Sequence, residues 1–443
     1  MSLAVHLEQA IGQADFQRRQ GRIVASNGLV IEAEGPDAPI GELCEIRAAR
    51  DSTPVPAQVV GFRREHVLLM PYGQVEGISP HSLIYATGRA LDVPVGPALL
   101  GRVVDAFCRP LDGSGPLSLD QHYPLHAAPL NPLHRPPIEE VLETGVKAID
   151  SMLTLGKGQR VGVFAGSGVG KSTLLAMLAR HVRADVTVLA LVGERGREVG
   201  DFLQHALGQS GRARSVVMAA TADQPALVRT HAVHAAHAVA EYFRDQGRSV
   251  LLVVDSITRF AMAQREIGLA VGEPPTFRGY TPSVFSWLPR IAERCGRHGA
   301  GSITAIYSVL VEGDDLNEPI TDHMRAILDG HVVLTREHAA RGQYPAIDVL
   351  KSTSRLVSAL AKPEELALAA QVRRTLALYE GSRDMIELGA HQPGVNAALD
   401  RAIEAHPRLN DVLAQHAGTA ISRAEALAQL SHVLEQAGIH ERS

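Results

Sequence analysis

A short run of small residues ends in a lysine and a serine, a composition suited to binding phosphate. Residues 166–172 read Gly-Ser-Gly-Val-Gly-Lys-Ser and directly follow the apolar run 161–165. Residues 173–178 continue with side chains typical of a helix. Small residues let backbone N–H groups converge on phosphate oxygens, and the N-terminus of a helix favours the same anion. The order of strand, loop and helix therefore predicts a P-loop that binds a nucleotide.

The residue types within this loop have distinct expected tasks. Lys171 would reach the β- and γ-phosphates, and Ser172 would bind Mg²⁺. One position departs from the strict pattern, because Ala165 stands where the first glycine is expected. The residues expected to contact the nucleotide are Gly166, Ser167, Gly168, Val169, Gly170, Lys171, Ser172 and Thr173.

Two acidic residues follow other runs that have the pattern of buried strands. Asp255 ends the apolar run 250–254, where a P-loop site places the acid on its Mg²⁺ side. Glu194 follows the run 186–192 and begins a charged segment. Hydrolysis needs a general base or a group that orients water, and Glu194 is the candidate. The alternative is that Glu194 belongs to a solvated charged loop.

The distribution of apolar and turn-forming residues along the chain predicts the elements that position these residues. From 146 to 355, apolar strands alternate with longer helical stretches, which is typical of a parallel sheet covered by helices. Residues 21–90 carry short apolar runs between turn residues and predict a small β-barrel or sandwich domain. Residues 91–145, rich in proline and glycine, are expected to be a connecting region within a nucleotide-binding domain that spans 91–355. Residues 356–443 predict a helical C-terminal domain.

Three helix signals lie near the two ends of the chain. Pro363 precedes two glutamates, and Ser422 to Glu425 have the spacing of a capping box, so a helix is expected to begin at each place. Residues 1–20 repeat apolar side chains at helical spacing. We expect an amphipathic N-terminal segment packed on the body, with contact to a membrane surface or a partner as the alternative.

Composition excludes several classes of protein. With 43 basic and 48 acidic side chains the net charge is −5, and aromatic residues make up only 4%. Surfaces that bind nucleic acid are basic and offer stacking platforms, so we expect no nucleic-acid partner. The three cysteines lie far apart, and no run approaches the ~18 apolar residues of a membrane span. We therefore expect a cytoplasmic protein without a zinc cluster.

Two other features invite functional interpretations that the residues do not support. His231, His234 and His237 recur every three residues, but three such steps rotate around a helix and no cysteine or acid completes a metal site. We expect structural or solvent-facing histidines. Cys295 follows an arginine and could be a reactive thiol, but we expect a packed or semi-exposed cysteine.

Taken together, the motifs resemble those of the rotary-type ATPases, which include the catalytic subunits of ATP synthases. The ordered motifs that carry the resemblance are 143–150, the P-loop, 192–199, 255–261, 272–275 and 344–348. Two further segments are more typical of the type III secretion branch, injectisome and flagellar: 308–320 and 327–334. The resemblance implies a RecA-like core between a β-barrel domain and a helical domain.

The resemblance also implies roles for individual residues. Glu194 matches the glutamate that polarises the attacking water, and Arg195 matches its neighbour near the γ-phosphate. Asp255 matches the acid of the Mg²⁺ site. Tyr344 matches the aromatic residue against adenine, and Arg355 matches the arginine supplied across a subunit boundary. The implied cofactors are ATP and Mg²⁺.

The implied function is ATP hydrolysis by a homohexameric ring that energises type III protein secretion and releases or unfolds chaperone-bound substrates. The implied partners are a central stalk protein, a peripheral stator protein and chaperone–effector complexes. The ring would act at the cytoplasmic face of the inner-membrane apparatus, with only peripheral membrane association.

Three alternatives stay open. The nearest is the flagellar export ATPase of the same branch; we favour the injectisome, and gene neighbourhood would decide. The second is a non-catalytic nucleotide-binding ring subunit, against which Glu194 argues. The third is an RNA-translocating hexamer, disfavoured by the acidic balance and by the lack of a recognisable RNA-binding motif in 21–90.

Overall fold

The computed structural model describes residues 19–47, 53–74, 76–80, 82–128 and 131–439. The amphipathic segment expected over 1–20 therefore lies outside the described residues, apart from its last two positions. In the described part of the chain, no helix is long and apolar enough to cross a membrane.

The first six strands form a closed antiparallel barrel, which decides between the barrel and the sandwich. Around the barrel the strand order is β1-β2-β5-β4-β3-β6. In β3, Cys44 and Ile46 point inward while the alternate residues are less buried, which is the pattern of a strand with one buried face. The strands are β1 (Gln20–Asn27), β2 (Val30–Glu34), β3 (Glu42–Arg47), β4 (Val55–Arg63), β5 (His66–Pro71) and β6 (Leu83–Ala90).

The region between the barrel and the P-loop contains short strands. Strands β7 and β9 pair with each other, β10 pairs with β11 (Leu155–Gly156), and β8 joins the edge of the central sheet. This proline-rich region is thus attached to the core through its backbone. Its strands are β7 (Asp92–Val95), β8 (Val103–Val104), β9 (Gln121–Pro124) and β10 (Val141–Leu142).

A nine-stranded sheet forms the centre of the molecule. Its order is β19-β18-β12-β17-β15-β13-β14-β8, and β16 pairs with β17. All pairings are parallel except those of β16 and β19. The strands from this part of the chain are β11 (Leu155–Gly156), β12 (Arg160–Ala165), β13 (Val186–Val192), β14 (Ser215–Ala220), β15 (Ser249–Asp255), β16 (Gly296–His298), β17 (Gly301–Leu310), β18 (Gly330–Leu334) and β19 (Thr353–Ser354).

Helices cover both faces of this sheet, which explains the continuous apolar runs in its strands. In β13, Val188 and Ala190 belong to one buried cluster, whereas Leu189 and Leu191 belong to another on the opposite face. The helices are α1 (Lys147–Met152), α2 (Lys171–His181), α3 (Gly196–Asp201), α4 (Gly208–Ala213), α5 (Ala226–Asp245), α6 (Ile257–Val271), α7 (Pro282–Ala292), α8 (Pro319–Ile327) and α9 (Arg336–Ala340).

The chain after 355 is helical in its described part, as predicted. Pro363 is the first residue of α11, and the Ser422 side chain caps α14 by accepting from the Glu425 N–H at 3.3 Å. Arg423 forms an ion pair with Glu365 at 2.6 Å, which joins α14 to α11. The helices are α10 (Val357–Leu360), α11 (Pro363–Gly381), α12 (Arg383–Glu387), α13 (Ala397–Leu413) and α14 (Arg423–Gln436).

The three histidines of α5 are structural. All three are buried, and burial lowers the pKa of His231 and His237 to about 3, so these rings are neutral. His237 Nε2 lies 2.9 Å from the hydroxyl of Tyr307. No group of three metal-ligating side chains occurs within the described residues. Of the two predicted alternatives, structural or solvent-facing histidines, the structural one is confirmed. Cys295 is also buried, as expected.

Candidate active site

The predicted phosphate-binding loop connects β12 to α2 and needs its glycines for two physical reasons. Gly168 and Gly170 have φ values of +80° and +93°, a left-handed conformation that side chains disfavour. A Cβ on Gly166 would lie 2.6 Å from Asp314 Oδ1, so a side chain there would require the carboxylate of Asp314 to move. Ala165 is the buried last residue of β12, so the departure from the strict pattern lies in the strand.

Three charged side chains predicted to act on phosphate and metal meet at the carboxyl end of the sheet. The ammonium group of Lys171 contacts the Asp255 carboxylate and lies 3.6 Å from Glu194 Oε1. The Lys171, Glu194 and Asp255 side chains are only 10%, 16% and 5% exposed. Buried charges of this kind require partners, and here one cation serves two carboxylates. Lys171 is therefore held where a phosphate would replace or share these contacts.

The environment of Glu194 gives it the character of a base that works near neutral pH. Burial raises the pKa of this carboxyl to about 7, and the negative charge of Asp255 acts in the same direction. Lys171 and Arg259 oppose the rise through their positive charge. A general base is most effective when its pKa lies near the working pH. The alternative of a solvated charged loop is wrong for Glu194, which is largely buried.

Asp255 is oriented by a residue that the sequence analysis did not select. Ser308 lies in β17 and donates a hydrogen bond from its hydroxyl to Asp255 Oδ1 at 2.5 Å. This bond is buried, and its acceptor is charged, which makes it one of the stronger kinds of hydrogen bond. The signal was present, because Ser308 is a polar residue near the end of an apolar strand that neighbours β15.

A cleft of about 850 Å³ opens in front of the loop. That volume is within the range of ligand sites. The P-loop, Glu194 and Arg195 line it, as do two cations that sequence reasoning missed, Arg259 and Arg336. Arg259 packs over Gly193, and its buried Nε has no hydrogen-bond partner in the described chain. The motif 255–261 contains Arg259, four residues after the metal-side acid, and this spacing was the available signal.

Two residues named from the resemblance lie at the rim of the cleft. The Tyr344 ring lies over Gly170, since a Cβ built on that glycine would be 3.5 Å from the ring. Tyr344 is 47% exposed, which leaves much of its ring free to contact a ligand. The Arg195 side chain is mostly exposed and lies 3.9 Å from Glu198.

Arg355 does not join the other predicted residues. It follows β19, which pairs with Gly330 at the start of β18, and Gly330 in turn pairs with Val161. The P-loop begins after Ala165, four residues further along β12, a distance of about 13 Å. The guanidinium of Arg355 is exposed and donates to the carbonyl of Arg325 at 3.1 Å.

Comparison with known families covers most of the chain. The β-barrel domain of the ATP synthase alpha/beta family matches residues 23–88, and the nucleotide-binding domain of that family matches residues 145–354. Residues 361–432 match the C-terminal domain of the type III secretion system ATPase EscN.

Relatives of similar length agree with these matches. The chain is 50% identical to the flagellum-specific ATP synthase of Bacillus subtilis, covering 96% of this chain and 97% of that protein. It is 47% identical to the type 3 secretion system ATPase of Xanthomonas euvesicatoria, covering 93% of each. The chain belongs to the family of type III secretion and flagellum-specific ATPases.

This ATPase also has a solved structural relative. The assembled EscN from enteropathogenic E. coli superposes with a TM-score of 0.89 at 42% identity, covering 94% of this chain and all of EscN. EscN in complex with its central stalk EscO gives 0.86 at 41% identity, with the same coverage of both chains. The predicted fold class is confirmed, and so is the prediction of a P-loop ATPase. Relatives of both secretion and flagellar kinds are found at similar identity, so our preference for the injectisome stays a prediction.

Proposed function

We propose that this ATPase hydrolyses Mg-ATP within a homohexameric ring and that hydrolysis energises type III protein secretion. The observation that carries the proposal is that the predicted catalytic residues lie at two different ends of the central sheet. Lys171, Glu194 and Asp255 meet at one end of the sheet, whereas Arg355 is exposed at the other end. A single chain thus holds the phosphate and water groups but places its own arginine out of reach.

Within one subunit, the buried residues bind and orient the reacting groups. Lys171 and the N–H groups of the loop bind the β- and γ-phosphates. Glu194 orients the attacking water and accepts its proton, for which a pKa of about 7 is suited. Arg195 and Arg259 place positive charge along the same cleft. Tyr344 stacks against the base at the rim.

The residues near Lys171 also fit Mg²⁺. Ser172 offers a hydroxyl oxygen and Asp255 a carboxylate oxygen, which are the hard oxygen ligands that Mg²⁺ prefers. Both residues border the same cavity, and Ser308 holds the carboxylate in place. When bound, Mg²⁺ neutralises charge on the phosphate oxygens.

Arg355 completes the site of a neighbouring subunit. An arginine supplied in trans stabilises charge on the transferring phosphoryl group and is worth about 10³–10⁵ in rate. Such an arrangement repeats head to tail, and a ring closes it without leaving an unpaired end. The structure of EscN as an assembled ATPase supports this reading for the present chain.

The remaining steps of the proposal concern partners. EscN has been solved with a central stalk protein, and we propose an equivalent stalk for this ring. A peripheral stator protein and chaperone–effector complexes complete the set, with release or unfolding of the bound substrates as the work performed. The ring would associate peripherally with the cytoplasmic face of the inner-membrane apparatus. Flagellar export is the equal alternative, because flagellar relatives are as similar.

The test is ATPase activity against protein concentration, with particle size measured in parallel. Specific activity should rise with the fraction of hexamer, because a monomer lacks a neighbour's Arg355. Activity per chain that stays constant while the particles change from monomer to hexamer would contradict the shared site. Arg408→Ala serves as a control for the loss of a surface arginine, since among the described residues Arg408 pairs with Glu404 and Gln436, both in the helical domain.

A further inference from the structure

A nine-residue loop, 414–422, connects α13 to α14 and reaches back to the nucleotide-binding domain. The backbone N–H of Gln415 donates to the carbonyl of Tyr344 at 2.8 Å. The guanidinium of Arg180 donates to the carbonyl of Ala417 at 2.9 Å. Arg180 lies in α2, the helix that begins at Lys171, so the helical domain contacts the site from two directions.

Gln415 uses both ends of its side-chain amide in this contact. Its Nε2 donates to the carbonyls of Gly145 at 2.7 Å and of Thr419 at 2.6 Å. Its Oε1 accepts from the backbone N–H of Lys147 at 2.8 Å. One side chain therefore ties the loop to itself and to the turn at 145–147.

That turn belongs to the motif 143–150, whose purpose the proposed mechanism leaves unexplained. Buried Asp150 accepts hydrogen bonds from the N–H groups of Thr144 and Gly145, each at 2.9 Å, and from the Thr144 hydroxyl at 2.8 Å. Gly145 has a φ of +72°, and a Cβ there would lie 2.8 Å from the Cβ of His181. The motif thus builds a rigid turn that presents one carbonyl and one N–H to Gln415.

A second cavity of about 400 Å³ shows what the loop encloses. Ser172 and Thr173 from the start of α2 border it, as do Glu194 and Asp255, together with Ala417 from the loop. Tyr344 lies over Gly170 at the neighbouring rim, and its backbone is bonded to Gln415. The loop therefore stands beside Tyr344 at the rim and, through Ala417, beside the cavity at the start of α2.

We infer that Gln415 is a positioning residue for the nucleotide base, through which the helical domain holds Tyr344 and Ala417 in place. The inference rests on the proposed function, in which Tyr344 stacks against the base. Gln415 bonds to Tyr344, to its own loop and to the turn at 145–147, and in the described structure none of its hydrogen bonds goes to the P-loop, Glu194 or Asp255. Loss of Gln415 should therefore weaken binding of the base and leave binding of the phosphates unchanged.

The experiment compares a ligand that has a base with one that lacks it, using the full-length protein. We expect Gln415→Ala to raise the KM for ATP about tenfold, the effect of losing interactions worth one to two hydrogen bonds. Inhibition by inorganic tripolyphosphate should change by less than about twofold, because that ligand reaches only the phosphate side. Gln436→Ala is the matched control, since its amide bonds to Arg408 and His432 within the helical domain.

Further variants separate the possible outcomes. Parallel weakening of ATP and tripolyphosphate would overturn the inference, because it would show a general structural defect. If Gln415→Ala does not fold, Gln415→Asn keeps an amide donor and acceptor on a shorter side chain and should give a smaller, still base-selective rise in KM. If Tyr344→Ala raises KM but neither Gln415 variant does, the inference about Gln415 is wrong. The proposed stacking of Tyr344 against the base is then still supported. If Tyr344→Ala itself has no effect, the proposed stacking role is wrong, and the inference falls with it.

Discussion

The charged residues at the two ends of the central sheet differ in their burial and in their bonding partners. At the carboxyl end, Lys171, Glu194 and Asp255 are largely buried, and Lys171 pairs with both carboxylates. At the amino end, Arg355 is exposed, and in the described structure its guanidinium donates only to the backbone carbonyls of Arg325 and Ala326. Groups that act inside a subunit gain strength from burial and mutual orientation. A group that acts on a neighbouring subunit must instead be exposed, and its hydrogen bonds within its own chain must be weak enough to break.

The largest expected effect tests this division directly. Glu194→Gln and Arg355→Ala should each lower kcat by about 10³ or more, as expected for a catalytic base and for an arginine supplied in trans. Rings mixed from equal amounts of both variants should recover activity. With random mixing, about a quarter of their interfaces combine an intact Glu194 with an intact neighbouring Arg355. Steady-state ATPase assays on co-refolded mixtures measure the recovery.

The control for the mixing experiment is a ring that carries both substitutions in every chain, which should stay inactive. Mixed rings of verified composition that show no recovery would contradict the division. That result would mean that Arg355 serves its own chain.

The contrast between the two ends also explains what could be predicted from sequence. Lys171 and Asp255 each follow an apolar strand, and parallel strands bring their carboxyl ends together, so these residues were found by pattern alone. The roles of Arg355 and Tyr344 came only from the resemblance, since nothing local marks either residue. Gln415 was missed because its partner Gly145 is 270 residues away in the chain. A barrel could not be told from a sandwich for a similar reason, since closure depends on the distant pairing of Gly21 with Ile84.

A second effect concerns pH. Because the pKa of Glu194 is raised to about 7, this carboxyl is protonated below that pH and cannot accept a proton from water. We expect kcat/KM to fall about tenfold for each pH unit below 7. The positive charge of Arg259 lowers this pKa, so Arg259→Gln should move the acidic limb to higher pH.

The pH profile of kcat/KM, measured with assembly monitored at each pH, checks this prediction. A limb near the ordinary glutamate value of about 4.5 would show that Glu194 is not the titrating base. Lys171 and Asp255 also face Glu194 and act on its pKa in opposite directions. A shift to lower pH in Arg259→Gln would contradict the expected sign.

The smallest expected effect tests how strongly Mg²⁺ binding depends on the orientation of Asp255. Ser308→Ala removes the hydroxyl that holds Asp255 but leaves the carboxylate and its contact with Lys171. The concentration of Mg²⁺ needed for half-maximal activity should rise about threefold to tenfold, as expected for loss of one charge-assisted hydrogen bond. Ser302→Ala is the matched control, because Ser302 is buried in the same strand at the end away from Asp255. An equal response of both variants would show that the strand tolerates no change in packing. A response of Ser308→Ala alone would show that the orientation of Asp255, as well as its charge, sets the affinity for the metal.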